Sequence, residues 1–175
     1  MPSSRAVRAA HEVLKTTGIK EPPVPVFEIA RELGVTLRIG PLPKDLSGFL
    51  IREKGKIVLG VNSLHPRQRQ AFTVAHELGH LRLHPDGSFV DHGFSFYFRD
   101  ARSSKATDPR EIQANQFAAE LLMPEQFIDP ILHGRSVDLG DEQYLNSLAK
   151  RFQVSSQALS FRLSNLGLAR QRANS

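Results

Sequence analysis

Five consecutive residues, His76-Glu77-Leu78-Gly79-His80, hold the sharpest chemical pattern in the chain. Histidines four apart lie on one face of a helix, about 6 Å apart along its axis. At that spacing two imidazoles can converge on one metal ion. Glu77 projects about 100° away, beside the site, where it can hold and deprotonate a water without being a ligand. Histidine pairs of this kind also occur on plain helix surfaces. Here the preceding Phe72-Thr73-Val74-Ala75 carries no charge, so the turn reads as buried. Two His and a Glu on a buried turn need a partner, and a metal is the simplest one.

A catalytic zinc takes three protein ligands and keeps one position open. His84 continues the four-residue series, but a straight helix sets it about 12 Å from His76, too far to share the ion. The metzincin pattern is absent, because Leu83 and Asp86 stand where its Gly and last His would be. The following helical segment offers a carboxylate. Glu111, Ala114, Asn115, Ala118 and Leu122 share a face small enough to pack closely on another helix, with Glu111 at its start. Glu120, nine residues on, faces the opposite way. Asp108-Pro109-Arg110-Glu111 is equally a capping box, with Asp108 at the N-cap and Glu111 at the third helical position. Spacing alone leaves both roles open. Asn115 fits either a hydrogen bond to a ligand or plain filling of the helix interface.

The elements that must position these residues follow from hydrophobic period and breakers. Helices are expected at 4–16, 25–33, 66–84, from 108 to about 123, 124–133, 141–152 and 155–166. Strands are expected at Val35–Ile39, Gly48–Arg52 and Lys56–Val61, the last two joined by a turn at Glu53-Lys54-Gly55. Residues 85–107 read as a long loop with an aromatic run, where Phe94–Phe98 could form a short strand. His84, His92, Tyr97 and Arg99 lie in or beside that loop and are candidate oxyanion donors. The expected class is α+β, mostly helical, with a small three-stranded sheet packed against the His76–His80 helix. Residues 1–140 would form the core, and 141–175 a C-terminal helical segment packed on it. Either Gly48–Arg52 or Lys56–Val61 could pair with an extended substrate.

Composition narrows the context. A length of 175 residues fits one domain. No apolar run is long enough to cross a membrane, and Met1–Ala6 lacks the apolar stretch of a secretory signal. With no Cys, disulfides, thiolate nucleophiles and Cys-ligated zinc are excluded, and a cytoplasmic location is expected. The net charge is +5. It lies wholly in residues 143–175, where Lys150, Arg151, Arg162, Arg170 and Arg172 meet no acidic residue. Residues 144–166 also have a helix-turn-helix outline: Leu145, Leu148 and Ala149, a turn at Gln153-Val154-Ser155, then Ala158, Leu159 and Leu163. DNA binding through this segment is therefore the competing function, opposed by a simple pair of packed amphipathic helices.

Phe72–His80 together with Glu111-Ile112-Gln113-Ala114-Asn115-Gln116-Phe117-Ala118-Ala119-Glu120-Leu121-Leu122-Met123-Pro124 resembles the ImmA/IrrE family of metallopeptidases. Upstream, Pro25–Val35 and Ser47-Gly48-Phe49 look like the family's N-terminal segment. Downstream, Phe152–Ser155 and Arg162–Leu168 look like its C-terminal helices. The resemblance implies a gluzincin-like zinc endopeptidase. His76, His80 and Glu111 match the metal ligands and Glu77 the catalytic base. Zn²⁺ suits the set, and Mn²⁺ or another divalent ion is also admitted. Family members act inside cells, and several cut XRE-type helix-turn-helix repressors, releasing stress-response or mobile-element genes. The alternative is a DNA- or repressor-binding regulator with a non-catalytic metal site. An intact Glu77 argues against it, because binding alone has no use for a base.

Overall fold

The computed structural model describes residues 4–86, 88–91 and 108–170. Helix α1 (Arg5–Thr17) starts at Ser4, whose hydroxyl accepts from the Val7 amide, and stops at Gly18 in the left-handed region. It buries Ala6, Ala10, Val13 and Leu14, one stripe of a 3.6-residue period. A proline-rich connector leads to α2 (Val26–Glu32) and then to β1 (Val35–Gly40). Strands β2 (Gly48–Glu53) and β3 (Lys56–Asn62) form the expected hairpin. Its two turn residues, Lys54 and Gly55, both take positive φ, which suits the twist of the strands on either side.

The sheet has four strands in the order β1-β3-β2-β4. β1 runs parallel to β3, while β2 is antiparallel to both β3 and β4 (Phe89–Asp91). The α+β class holds, and this sheet has one strand more than the pattern predicts. Three residues after Pro85 are too few to show a period of two. The candidate strand at Phe94–Phe98 lies outside the described residues. The expected substrate-pairing strands need correction. β3 is paired on both sides, and β4 covers Gly48–Leu50 of β2, so among the described residues the outer strands are β1 and β4.

Buried Asn62 pins the loop before the hairpin, its amide donating to Leu46 O at 2.8 Å and its carbonyl accepting from Leu64 N at 3.0 Å. That staple sets the entry to α3 (Arg67–Leu83). Every residue from Phe72 to His80 on α3 is buried. A helix apolar on one face only could not account for this. α3 packs on the sheet and most extensively against α4 (Pro109–Leu122), which also lies on α1. Leu50, Leu59, Leu78, Phe117 and Leu121 are fully buried in this core.

The chain closes with α5 (Glu125–Leu132), β5 (Val137–Asp138), α6 (Glu142–Phe152), α7 (Ser156–Asn165) and β6 (Ala169–Arg170), β5 and β6 pairing in parallel. Phe152, Leu159 and Leu163 join the same hydrophobic core as α1 to α5. Among the described residues no helix is long and apolar enough to cross a membrane.

Candidate metal centre

The centre is built where α3 and α4 come closest. A β-carbon on Gly79 would lie 3.0 Å from both the Cα and the carbonyl oxygen of Ala114. Glycine allows this approach without displacing Ala114. At the start of α4 the Asp108 carboxylate accepts from the Arg110 amide at 2.9 Å, and Pro109 supplies the first helical residue. The capped turn then carries Glu111 across to α3. Both expected roles of this segment coexist: Asp108 starts the helix, and Glu111 reaches the histidines.

Three side chains converge there. His76 Nε2 and His80 Nε2 are 3.1 Å apart. Glu111 Oε2 is 3.3 Å from His76 Nε2, and its Oε1 is 3.2 Å from His80 Nε2. Both imidazoles are buried, while the Glu111 side chain is 25% exposed, so the cluster has a solvent side. Asn115 Oδ1 lies 2.8 Å from His76 Nδ1. An amide oxygen only accepts, so Nδ1 carries the proton and Nε2 is the nitrogen turned to Glu111.

The electrostatics leave a cation-sized need. Burial lowers the pKa of His80 and so favours its neutral form, with Glu111 opposing this. Burial alone would push the Glu111 carboxyl up, but hydrogen bonds and charge from His76 and His80 outweigh it and hold the group well below the usual range. An ionised carboxylate thus faces two imidazole nitrogens, and a proton or a cation must lie between them. Tetrahedral coordination with bonds of ~2.0–2.1 Å spaces ligand atoms about 3.3 Å apart. The contacts of 3.1–3.3 Å match that spacing. Among the described residues His76, His80 and Glu111 form the group able to hold an ion, and their chemistry fits Zn²⁺ with an open position.

Glu77, on the same turn of α3, is fully buried. His84 ends the helix and does not join the converging donors; its Nε2 donates to the Arg110 carbonyl at 3.2 Å. Burial lowers its pKa as well. His92, Tyr97 and Arg99 lie outside the described residues.

Two features have no clear signal in the sequence. Phe89 of β4 stacks on the His80 ring, with centroids 3.9 Å apart and planes 14° off parallel. Glu120, which does face away from the centre, is buried against Arg162 of α7. His11 reaches the same carboxylate at 2.8 Å, and Arg162 Nε donates to the Met123 carbonyl at 3.0 Å. Arg162 and His11 are distant from Glu120 along the chain, so no local pattern announces them.

Comparison with known proteins identifies relatives of this chain. The immunity region protein 2 of Bacillus phage phi105 is 29% identical over 99 residues, which are 57% of this chain and 58% of the phage protein. A solved Mycobacterium tuberculosis transcriptional regulator shares the fold, with a TM-score of 0.62 at 22% identity. That alignment takes in 96% of this chain and 48% of the regulator, so this chain spans about half of that protein's length. Residues 30–164, which contain the whole converging cluster, match the peptidase family described as the IrrE N-terminal-like domain, and the chain belongs to that family.

Proposed function

We propose that this chain is a zinc-dependent endopeptidase, with His76, His80 and Glu111 as metal ligands and Glu77 as the catalytic base. The observation that carries this reading is the convergence of two buried imidazole nitrogens and one carboxylate within 3.1–3.3 Å, on the helix that also buries Glu77. A divalent ion held there supplies Lewis-acid polarisation of a peptide carbonyl and brings the pKa of a water toward neutrality. Asn115 holds the His76 ring so that Nε2 faces inward. Glu77 takes the proton from the attacking water and returns it to the leaving amine. The carboxylate of Glu111 balances charge at the centre, and its exposed side leaves an approach from solvent. Of the two strands that are outermost among the described residues, β4 lies at the centre through Phe89. It is therefore the strand placed to pair with an extended substrate.

The proposed substrate is an XRE-type helix-turn-helix repressor, and the proposed location is the cytoplasm. A relative named for a phage immunity region and a fold neighbour named a transcriptional regulator support a role in gene control. Direct DNA binding by the C-terminal helices is the weaker reading. Arg162, the one basic residue of α7, is buried against Glu120 rather than offered to a phosphate.

The deciding experiment is elemental analysis of the wild type beside Glu77→Gln and Glu111→Gln, followed by a cleavage assay on a co-encoded repressor. The expected result is about one zinc per chain in the wild type and Glu77→Gln, a large loss in Glu111→Gln, and cleavage by the wild type alone. A wild type that takes up no metal would end this reading.

A further inference from the structure

The two histidines of the centre are held in different ways. His76 Nδ1 has a hydrogen-bond partner in Asn115. His80 Nδ1 is buried and has none among the described residues. Yet His80 is the more deeply buried of the two. A ligand imidazole with a loose ring plane binds metal poorly, because rotation about Cβ–Cγ swings Nε2 off the ion, and that torsion is broad. Something other than a hydrogen bond at Nδ1 must fix the plane of this ring.

We infer that Phe89 is a positioning residue for His80, fixing the plane of the ligand ring by stacking where a hydrogen bond fixes His76. This rests on the reading of His76, His80 and Glu111 as metal ligands. The rings lie 3.9 Å apart and nearly parallel, which is contact distance. Any tilt of the imidazole drives its edge into the phenyl face. On the α3 side the His76 ring stands at 78° to it, with centroids 4.7 Å apart. His80 is thus confined by two rings. Stacking alone would still permit a half-turn that exchanges Nε2 for Cε1. The 3.2 Å contact to Glu111 selects the correct edge.

Phe89 is itself held on several sides. It pairs with Leu50 across β2 and β4. Arg110 Cζ lies 5.9 Å from its ring centroid, and the His84 ring 6.1 Å away. The stack also responds to charge. An imidazole that shares its lone pair with a cation becomes electron-poor, and the negative face of a phenyl ring then attracts it more strongly. The contact is therefore worth more in the metal-bound state than in the free one, and only such a difference raises metal affinity. It follows that the ligand set is completed by β4: a centre made of α3 and α4 depends on a three-residue outer strand for one ligand's orientation. If β4 pairs with substrate, the strand that receives the substrate is also the strand that steadies the ion.

The test uses the full chain with Phe89→Leu and Phe89→Tyr. Zinc affinity is measured by competition with a chromophoric chelator, and the His80 ring-proton shift by NMR in metal-free protein. In metal-free wild type, the ring current of a stacked phenyl should move that proton upfield. Phe89→Leu should abolish the displacement and weaken zinc about tenfold, with an unchanged unfolding midpoint in metal-free protein. Phe89→Tyr, which keeps the ring, should restore both. A merely structural role would lower the midpoint without separating Leu from Tyr in zinc affinity. An unshifted His80 proton in wild type would overturn the inference without any variant. So would equal zinc affinity in wild type and Phe89→Leu. A wild type that binds no zinc overturns the protease reading and this inference together, so the two failures are distinct.

Discussion

Helix α4 carries two carboxylates that the fold treats in opposite ways. Glu120, in its last turn, is buried beside Arg162, with His11 and the Glu125 amide also approaching it. Its charge is balanced by a guanidinium that never gives up its proton. Glu111, in the first turn, is partly open to solvent and faces two imidazoles, one of which burial drives toward neutrality. These two partners, unlike a guanidinium, can lose their protons. Burial therefore does not mark the reactive end, since Glu120 is the deeper of the two. What marks it is a carboxylate set beside two imidazoles that can exchange a proton for a cation. One end of α4 is closed electrostatics that ties α1, α4 and α7 together. The other end is open and suited to chemistry.

The largest effect should come from breaking the open end. Glu77→Gln is expected to lower peptide hydrolysis by about 10²–10⁴-fold, the usual contribution of a general base, while zinc binding is retained. Glu111→Gln should lose both. Zinc at a hundred times its Kd should stabilise the wild type by about 2.7 kcal/mol in chemical denaturation and Glu111→Gln hardly at all. Should the Gln variant at 111 gain the full increment, the supposed contrast between the two carboxylates would collapse.

Breaking the closed end should damage the fold instead. Arg162→Ala leaves the buried Glu120 carboxylate without its guanidinium, with only His11 and the Glu125 amide beside it, and breaking a buried pair in this way costs about 3–5 kcal/mol. The folded fraction should still bind zinc with wild-type affinity. The double variant Glu120→Leu with Arg162→Met should recover most of the loss, because a buried pair can be replaced by apolar groups of similar volume. Urea melts of the two variants decide this. A double variant no better than Arg162→Ala would mean that the Arg162 bond to the Met123 carbonyl, rather than the ion pair, carries the stability.

The two ends also differ in how far the sequence reveals them. The open end is written in local patterns: two histidines four apart, a Glu between them, and a small-residue face on the next helix. Helices α1, α3 and α4 and the Lys54-Gly55 turn follow from period and breakers within a few residues. Glu111 is the instructive case. Capping and ligation both fit its spacing, and only the reach of α4 across to α3 shows that Asp108 caps the helix while Glu111 meets the two histidines. The closed end is invisible locally, because Arg162 lies 42 residues from Glu120. Nor does a strand reveal its neighbours. β1 pairs with β3 rather than with β2, the next strand along the chain, and this places β3 inside the sheet and moves the receptive edge elsewhere.

Gly79 sharpens the comparison from the side of packing. Gly79→Ala sets a methyl 3.0 Å from the Ala114 backbone, tighter than normal contact. Overpacking of this kind costs about 1–3 kcal/mol. Relief requires α4 to move off α3, and Glu111 moves with it. Zinc affinity should therefore fall beyond what the loss of stability explains, which titration of the folded variant would show. A variant that loses stability but binds zinc normally would place the accommodating shift away from the first turn of α4.

The smallest effect is expected at Asp108, which starts the helix that presents Glu111. Asp108→Ala should cost about 1 kcal/mol as a lost N-cap, and Asp108→Asn only a small part of that, since Asn caps nearly as well. The pH dependence has a definite sign. Hydrogen bonds from the Arg110 side chain and amide lower the folded pKa of Asp108 below its ordinary 3.8. A depressed carboxylate contributes stability above its unfolded pKa and loses it as pH falls through the folded one. The gap between wild type and Asp108→Ala should hold steady from neutral pH to about 4 and shrink below that. Because the side chain is 38% exposed, solvent screening keeps the ion-pair part small. Urea titrations across this range read the gap directly. A gap that narrows between pH 7 and 5 could not come from Asp108. It would implicate a group other than this cap.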